Sequence, residues 1–274
     1  AILKGRVDGL EYKVQELSAG QFSPNTKMMG QAVFTTGFID TAASTNDNKL
    51  TSEYNFMLMM HTSFTGKDHL HVSLDQGNHD DLVMDSAMDM VMSSVTVSSL
   101  YYQFPVGDIQ ITAGPLLDQD DVISATTSIY SDAFRLAAMP YGLQGNKKGP
   151  GGAVSWVNDG GFNASFSGIS TNGMMDRGGA NASYGMFTKE TSDFITASVG
   201  YDTDNYGGGL IYTDDDTDTS FGGGVYFRPD GFPTISVAYD TLSDTDATDS
   251  SSFIVGLDYE VGPGTASAAY ESKD

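Results

Sequence analysis

The sequence predicts an all-β protein, a transmembrane antiparallel β-barrel of about 14 to 16 strands preceded by a short coiled-coil helix. From Lys27 onward, apolar residues recur at every second position in short segments, which is the period of a strand with one apolar face. Tight connections that contain glycine alternate with longer polar ones. The 274 residues include 32 glycines, 14 tyrosines and 15 phenylalanines, a composition typical of barrels with aromatic residues at the membrane rims.

The clearest alternation lies in the last third of the chain. Between Ile195 and Tyr201 every second residue is apolar, and the residues between them are Thr, Ser and Gly. The segments 235–240 and 253–261 repeat this pattern. A barrel would place the polar face in its lumen, whereas a sandwich would place it on the water-exposed surface. The pattern fits both folds, and the many glycines favour the barrel.

The connections between the predicted strands alternate in length, as in outer-membrane barrels with short periplasmic turns and long external loops. The tight connections are residues 65–67, 105–108, 158–161, 229–233 and 262–264. The longer ones are residues 41–50, 76–90, 117–150, 170–180 and 242–251. The strands between Gly185 and Gly224 have no unique assignment. Because residues 271–274 are polar, we expect the polypeptide to continue beyond Asp274 and the barrel to close with about 16 strands.

The charge balance limits the classes of partner. The chain has 36 acidic and 13 basic residues, a net charge of -23, which excludes nucleic acid as a partner and favours small cations. It has no cysteine, so it forms neither disulfides nor thiolate metal sites. No apolar run reaches the roughly 20 residues of a membrane helix. No GxSxG, HExxH or phosphate-binding loop is present, so the sequence predicts that the protein is not an enzyme.

Residues 1–22 differ from the rest of the chain and form the first of two predicted domains; residues 23–274 form the barrel. Five apolar residues follow the heptad spacing of a coiled coil: Leu3, Val7, Leu10, Val14 and Leu17. We expect this segment to be the end of a periplasmic stalk, supported by an oligomer because an isolated helix of this length is marginal. The alternative is a single amphipathic helix packed on the barrel.

The longest connection, residues 117–150, predicts a loop folded into the barrel that narrows a channel. Its acidic residues Asp118, Asp120 and Asp121, together with Tyr130 and Arg135, are the candidate constriction residues. A charged ring in a narrow passage biases which ions enter it. Two lysines at positions 147 and 148 could neutralise part of the acidity. The alternative is a loop that packs on the barrel wall or lies outside.

All four histidines fall between residues 61 and 79. With a hairpin turn at residues 65–67, His61 lies opposite His71 and His69 lies one diagonal step away, all on the lumen face. Together with Asp75 these imidazoles predict a site for a transition metal. The alternative is that they only hydrogen-bond to water.

Three segments carry alternating acidic residues that suit Ca²⁺, although none has the glycine and terminal glutamate of an EF-hand loop. They are residues 202–205, 214–219 and 243–249. The alternative is a solvated acidic rim without bound calcium. Apart from this calcium, the sequence predicts no cofactor.

Two stretches resemble cyanobacterial outer-membrane porins of the iron-uptake or Som type, with a coiled coil and an OprB-like barrel. The first is a junction between heptads and the first strand, matched by Leu10, Glu11, Val14, Glu16, Leu17, Gln21, Phe22, Ser23, Thr26, Lys27 and Gly30. The second is GPLLDQDDVIS at residues 114–124, followed by residues 130–135, which resembles the constriction segment of the family.

The resemblance implies a homotrimeric porin in the outer membrane of a cyanobacterium, in contact with its lipid. Small inorganic ions and small polar solutes, carbohydrates among them, would cross by passive diffusion. Family members also hold peptidoglycan or another cell-wall polymer through an N-terminal surface-layer homology domain, which lies outside this chain. Combined with the acid balance, the expectation is a cation-preferring porin. The alternative function is that of a secreted calcium-binding β-sandwich, an adhesin or structural coat protein.

Overall fold

The computed structural model describes residues 25–37, 49–79, 90–125, 147–171, 185–188, 192–215, 217–244 and 249–274. The predicted coiled coil at residues 1–22 and two of the predicted constriction residues, Tyr130 and Arg135, lie outside these ranges. Within the ranges, no helix is long and apolar enough to cross a membrane.

The described residues form thirteen strands in a single sheet, in which each strand pairs antiparallel with its neighbour in sequence. The strands are β1 (Thr26–Gly37), β2 (Thr51–Thr62), β3 (His69–His79), β4 (Met90–Val106), β5 (Ile109–Asp118), β6 (Lys148–Val157), β7 (Phe162–Ser170), β8 (Asp193–Asp202), β9 (Tyr206–Asp214), β10 (Asp218–Phe227), β11 (Thr234–Asp244), β12 (Ser250–Val261) and β13 (Gly264–Lys273).

This topology confirms the predicted all-β antiparallel fold and excludes the β-sandwich alternative. A sandwich divides its strands between two sheets that pack face to face. Here one sheet continues through all thirteen described strands in chain order, from β1 to β13. The count of thirteen in the described residues is close to the number that the periodicity predicted.

The sheet has one polar face and one apolar face because side chains alternate along each strand. In β8, Ile195 and Val199 are 39% and 54% exposed, whereas Thr196 and Ser198 between them are 1% and 3% exposed. Large apolar side chains are thus on the open side of the sheet, and short polar side chains are on the enclosed side. Exposed large apolar side chains recur on most of the other described strands, with Phe166, Leu210, Val225 and Tyr239 among them.

The predicted boundaries of the loop at residues 117–150 were wrong at both ends. Strand β5 extends to Asp118 and strand β6 starts at Lys148, so the connection is residues 119–147. Glycines in residues 149–152 had indicated a loop, but two of them are required by close strand packing. A Cβ atom at Gly149 would lie 2.5 Å from the Ser170 carbonyl oxygen, and one at Gly151 would lie 2.2 Å from the Gly168 carbonyl oxygen.

Residues 185–224, whose strands the periodicity left without a unique assignment, contain β8, whose own alternation is regular, then β9 and residues 218–224 of β10. Glycines at residues 207–209 and 222–224 carry no side chain that marks a face, so the alternation is invisible there. The β9–β10 connection is only residues 215–217, which departs from the long loops expected at that end of the barrel. Asp215 closes this turn by accepting hydrogen bonds from the Thr217 and Asp218 amides at 2.9 and 2.8 Å.

Candidate functional site

The chain turns onto the polar face of the sheet directly after β5. Gln119 is fully buried, and its Nε2 donates a hydrogen bond of 3.0 Å to the Thr196 hydroxyl of β8. The Ser124 amide donates one of 3.1 Å to the Ser165 hydroxyl of β7. Residues 119–125 therefore cross the inner sides of β7 and β8, and this contact identifies the polar face as the enclosed one.

A small apolar cluster fixes this crossing segment to the wall. Val122, in the single 3-10 turn Asp120–Val122, is 6% exposed and packs with Leu117, Tyr101, Ala153 and Ile169. These four residues belong to β4, β5, β6 and β7. Because burial of apolar surface favours the docked position, the acidic residues that precede Val122 have a defined place on the inner face.

The predicted acidic residues Asp118, Asp120 and Asp121 come together beside one lysine. Asp118 is buried and forms an ion pair with Lys148, its register partner across β5 and β6. Asp121 accepts a hydrogen bond from the Ser99 hydroxyl at 3.3 Å, and Asp120 keeps an exposed surface. We call Asp118, Asp120, Asp121 and Lys148 the acidic group.

Two members of the acidic group, Asp120 and Asp121, are harder to ionise than ordinary aspartates. Surrounding protein raises the pKa of Asp120, and both the charge of Asp118 and a hydrogen bond to Asp118 raise it further. Burial and then the Asp118 charge also raise the pKa of Asp121, and these effects outweigh the Ser99 hydrogen bond and the Lys148 charge. Loss of hydration is the first cause of both shifts, and repulsion adds to it because, among the described residues, three carboxyl groups share one ammonium group. With all of them ionised, the group carries two excess negative charges.

A hairpin brings the predicted metal ligands together on the same inner face. His61 in β2 pairs with His71 in β3, the register that the short turn predicted, and His69 lies two residues from His71 on the same side. The ring centroid of His61 lies 4.4 Å from that of His69 and 4.9 Å from that of His71. One ring nitrogen from each histidine lies within 4.8 Å of the other two.

Asp75, the fourth predicted ligand, is not part of this histidine group. It is buried on the inner face of β3 and accepts a hydrogen bond from the Ser73 hydroxyl at 3.0 Å. In the described part of the acidic segments predicted for calcium, no three carboxylates come as close together as the three histidines do. Calcium binding there stays a prediction.

The turn between β2 and β3 is held by a residue that the sequence analysis missed. The Asp68 carboxylate accepts hydrogen bonds from the Thr65 amide at 2.7 Å, the Phe64 amide at 3.0 Å and the Ser63 hydroxyl at 2.9 Å. Its other oxygen accepts one of 2.5 Å from the Tyr102 hydroxyl of β4. Burial alone would raise the pKa of Asp68, but these hydrogen bonds lower it well below its usual range. The network fixes the hairpin that aligns the histidines.

Sequence reasoning also missed Gln119 and Tyr101. Gln119 is the buried anchor of the crossing segment, and Tyr101 stacks on His71 with a centroid distance of 4.7 Å and an interplanar angle of 6°. Tyr101 also hydrogen-bonds to Asp121, so it links the histidine group to the acidic group. The alternation in β4 places Tyr101 on the inner face, but only the pairing with β3 identifies its partner.

Comparison with solved structures places this architecture among bacterial porins. Two mutants of the porin of Rhodopseudomonas blastica each match with a TM-score of 0.62 at 11% sequence identity, over 91% of this chain and 84% of theirs. The fold is porin-like. Pseudomonas aeruginosa OpdQ matches with a TM-score of 0.50 at 14% identity, over 91% of this chain and 65% of its own. At these identities the porin-like likeness concerns the fold alone.

Comparison of sequences adds a cyanobacterial relative. An uncharacterized protein of Nostoc sp. (strain PCC 7120) is 41% identical over 80 residues, which are 28% of this chain and 14% of that relative. The match thus spans a small part of the relative's length. No family model matches the chain.

Proposed function

We propose that the protein is an outer-membrane channel through which small inorganic ions and small polar solutes diffuse passively, with a preference for cations. The observation that carries the proposal is the position of the acidic group, on a segment that crosses the polar inner face of a porin-like sheet. Solutes that pass along this face would meet Asp120, which keeps an exposed surface.

The physical basis of the preference is the local field. A net negative charge in a passage with low-dielectric walls raises the local concentration of cations and lowers that of anions. Lys148 neutralises one carboxylate, so the negative charge that remains on the acidic group makes the preference one for cations. The overall charge of -23 acts in the same direction. The solute gradient is the sole source of energy for such diffusion.

The outer face of the sheet supports a place in the lipid bilayer. Exposed large apolar residues recur on nearly every described strand, from Phe34 in β1 to Tyr270 in β13. A water-soluble surface rarely carries so much contiguous apolar area. The proposed location is the outer membrane of a Gram-negative-type bacterium, and the Nostoc relative favours a cyanobacterium. The homotrimer and the attachment to a cell-wall polymer remain predictions from the heptads and the family resemblance.

Reversal potentials in planar lipid bilayers under a KCl gradient test the proposal. Measured at about pH 8, where carboxyl groups with raised pKa values are ionised, the wild-type protein should open in steps with a reversal potential on the cation side. The double variant Asp120→Asn and Asp121→Asn should move the reversal potential toward zero, because it removes two negative charges without changing side-chain shape.

The matched control is Asp230→Asn, which removes one charge from an exposed turn between β10 and β11. It should leave the reversal potential unchanged. An unchanged potential in the double variant would remove the acidic group from the conduction path. Absence of any conductance from folded protein would contradict the channel itself.

A further inference from the structure

We propose that His61, His69 and His71 form a binding site for one divalent transition-metal ion of the imidazole-preferring class, such as Zn²⁺, Cu²⁺ or Ni²⁺. The site stands on the geometry of the three side chains. Its role in a conduction path rests on the proposed function, whereas the binding itself does not.

The hairpin register makes the three rings converge. His61 and His71 are direct cross-strand partners, so their Cβ atoms lie about 5 Å apart on one face of the sheet. His69 lies two positions before His71 in the same strand and therefore shares that face. The Asp68 network closes the turn that sets this register, so the backbone brings the three histidines to one place on the sheet.

The ring nitrogens lack the partners that buried polar atoms normally have. Nε2 of His61, Nε2 of His69 and Nδ1 of His71 are each buried and have no hydrogen-bond partner among the residues that the structure describes. His71 is only 7% exposed. Most buried polar side-chain atoms are hydrogen-bonded, so three unpartnered nitrogens in one group require an explanation. A single metal ion would satisfy all three lone pairs together.

The spacing is within reach of coordination. Zinc binds imidazole nitrogen at 2.0–2.1 Å, which places nitrogens of a tetrahedral site about 3.3 Å apart. One ring nitrogen of each histidine lies within 4.8 Å of the other two, so ring shifts of about 1 Å would complete the geometry. Stacking on Tyr101 orients His71, and the less buried rings of His61 and His69 have room to move toward it.

The donor set selects the class of metal. Three neutral imidazoles without thiolate suit Zn²⁺, Cu²⁺ and Ni²⁺, whereas Mg²⁺ and Ca²⁺ require several oxygen ligands. Three protein ligands leave at least one coordination position for water or a passing solute. Asp75 and Asp118 interact electrostatically with His71 and offset part of the ion's charge. Lys27 of β1 is the register partner of His61, and its positive charge works against this offset.

Isothermal titration of the detergent-folded protein with ZnCl₂ or NiCl₂ tests the site directly. We expect one ion bound per chain, and an affinity at least roughly tenfold lower in each of His61→Ala, His69→Ala and His71→Ala, because each removes one of three ligands. His79→Ala is the matched control; it removes the fourth histidine, at the far end of β3, and should bind as the wild type does. CaCl₂ should give no comparable heat.

The outcomes separate a metal site from a structural cluster. If His71→Ala impairs folding, His71→Gln keeps a side chain of similar length, and heat-resistant migration on gels reports the folded barrel. Unchanged Zn²⁺ affinity in folded His71→Gln, or equal affinity for Ca²⁺, would overturn the inference. Loss of Zn²⁺ and Ni²⁺ binding in that folded variant would support it.

Bilayer recordings distinguish this inference from the proposed function. Micromolar ZnCl₂ should lower the K⁺ current of the wild type and leave that of His71→Gln unchanged, because a bound cation in the lumen repels others. If the protein binds Zn²⁺ in detergent but never conducts, the proposed channel is contradicted and the metal site is supported. If the protein conducts normally but binds no Zn²⁺, the metal site is contradicted and the proposed channel is supported.

Discussion

At the scale of single residues, the acidic group combines strong anchoring with incomplete neutralisation. Asp118 is buried and paired with Lys148, whereas Asp120 and Asp121 are held nearby and form no ion pair of their own with any described residue. Like charges so close make it harder to ionise the second and third carboxyl groups. The charge of this group therefore depends on pH in a range where ordinary aspartates are already fully ionised.

We predict that cation preference falls on acidification earlier than an ordinary aspartate would allow. The raised pKa values of Asp120 and Asp121 mean that both carboxyl groups gain protons at a pH above their usual range near 4, while Lys148 keeps its charge. Reversal potentials recorded from about pH 8 down to pH 4 should shift steadily toward zero.

The variant with Asn at positions 120 and 121 is the control for this titration. It should show a smaller preference at pH 8 and a nearly flat profile over the same range. If the wild type keeps a constant reversal potential down to pH 4, the acidic group does not set the selectivity.

At the scale of the strands, close backbone contact fixes how β6 joins the sheet. Gly151 pairs with Gly114 of β5 on one side and Ile169 of β7 on the other. A Cβ atom at Gly151 would lie 2.2 Å from the Gly168 carbonyl oxygen, closer than side chains tolerate. The absence of a side chain at Gly151 thus allows the close approach of β6 to β7.

We predict that Gly151→Ala destabilises the folded protein by about 1–3 kcal/mol, because the added methyl group forces β6 away from β7. Urea unfolding in detergent, followed by heat-resistant migration on gels, measures the loss. The matched control is Gly30→Ala in β1, where the nearest atom to an added Cβ is a Leu58 methyl at 3.7 Å. Equal stability of the two variants would contradict the close approach at Gly151.

The same glycines explain which elements the sequence could predict. Strands with regular alternation, such as β8, were predictable because apolar and polar side chains mark the two faces. The His61–His71 pairing was predictable because a short turn leaves one register. The start of β6 was not, since Gly149 and Gly151 resemble loop residues until the neighbouring strand is known. Likewise, nothing in the order of residues indicates that Gln119 is the residue of the crossing segment that hydrogen-bonds to Thr196.

At the scale of the whole molecule, the described sheet reverses the usual order of a water-soluble protein, because its polar face is enclosed and its apolar face points outward. The described apolar core is small, and the large apolar residues lie on the outer face. The period alone could predict this two-sided sheet, while the many glycines and the alternating loop lengths were needed to predict a single barrel, because a sandwich has the same period. The choice between lipid and water as the outer solvent is therefore the property that most deserves a direct test.

We predict that Val154→Arg is far more destabilising than Ser155→Arg. Val154 is 44% exposed in the middle of β6, beside the exposed Phe166 of β7, so an arginine there would enter the hydrocarbon layer. Ser155 is the next residue and points to the polar inner face, where its partner is Ser165 and an arginine can reach water. In outer-membrane barrels, arginine near the bilayer midplane lowers stability by about 2–4 kcal/mol.

Urea titrations of both variants folded into phosphatidylcholine vesicles measure this difference, with heat-resistant migration as the readout of the folded state. Ser155→Arg serves as the control because it adds the same charge and volume to the same strand. We expect Val154→Arg to unfold at a clearly lower urea concentration than Ser155→Arg. If Val154→Arg folds as well as the wild type, the apolar face is not in contact with lipid. That result would contradict the proposed location of the channel in a membrane.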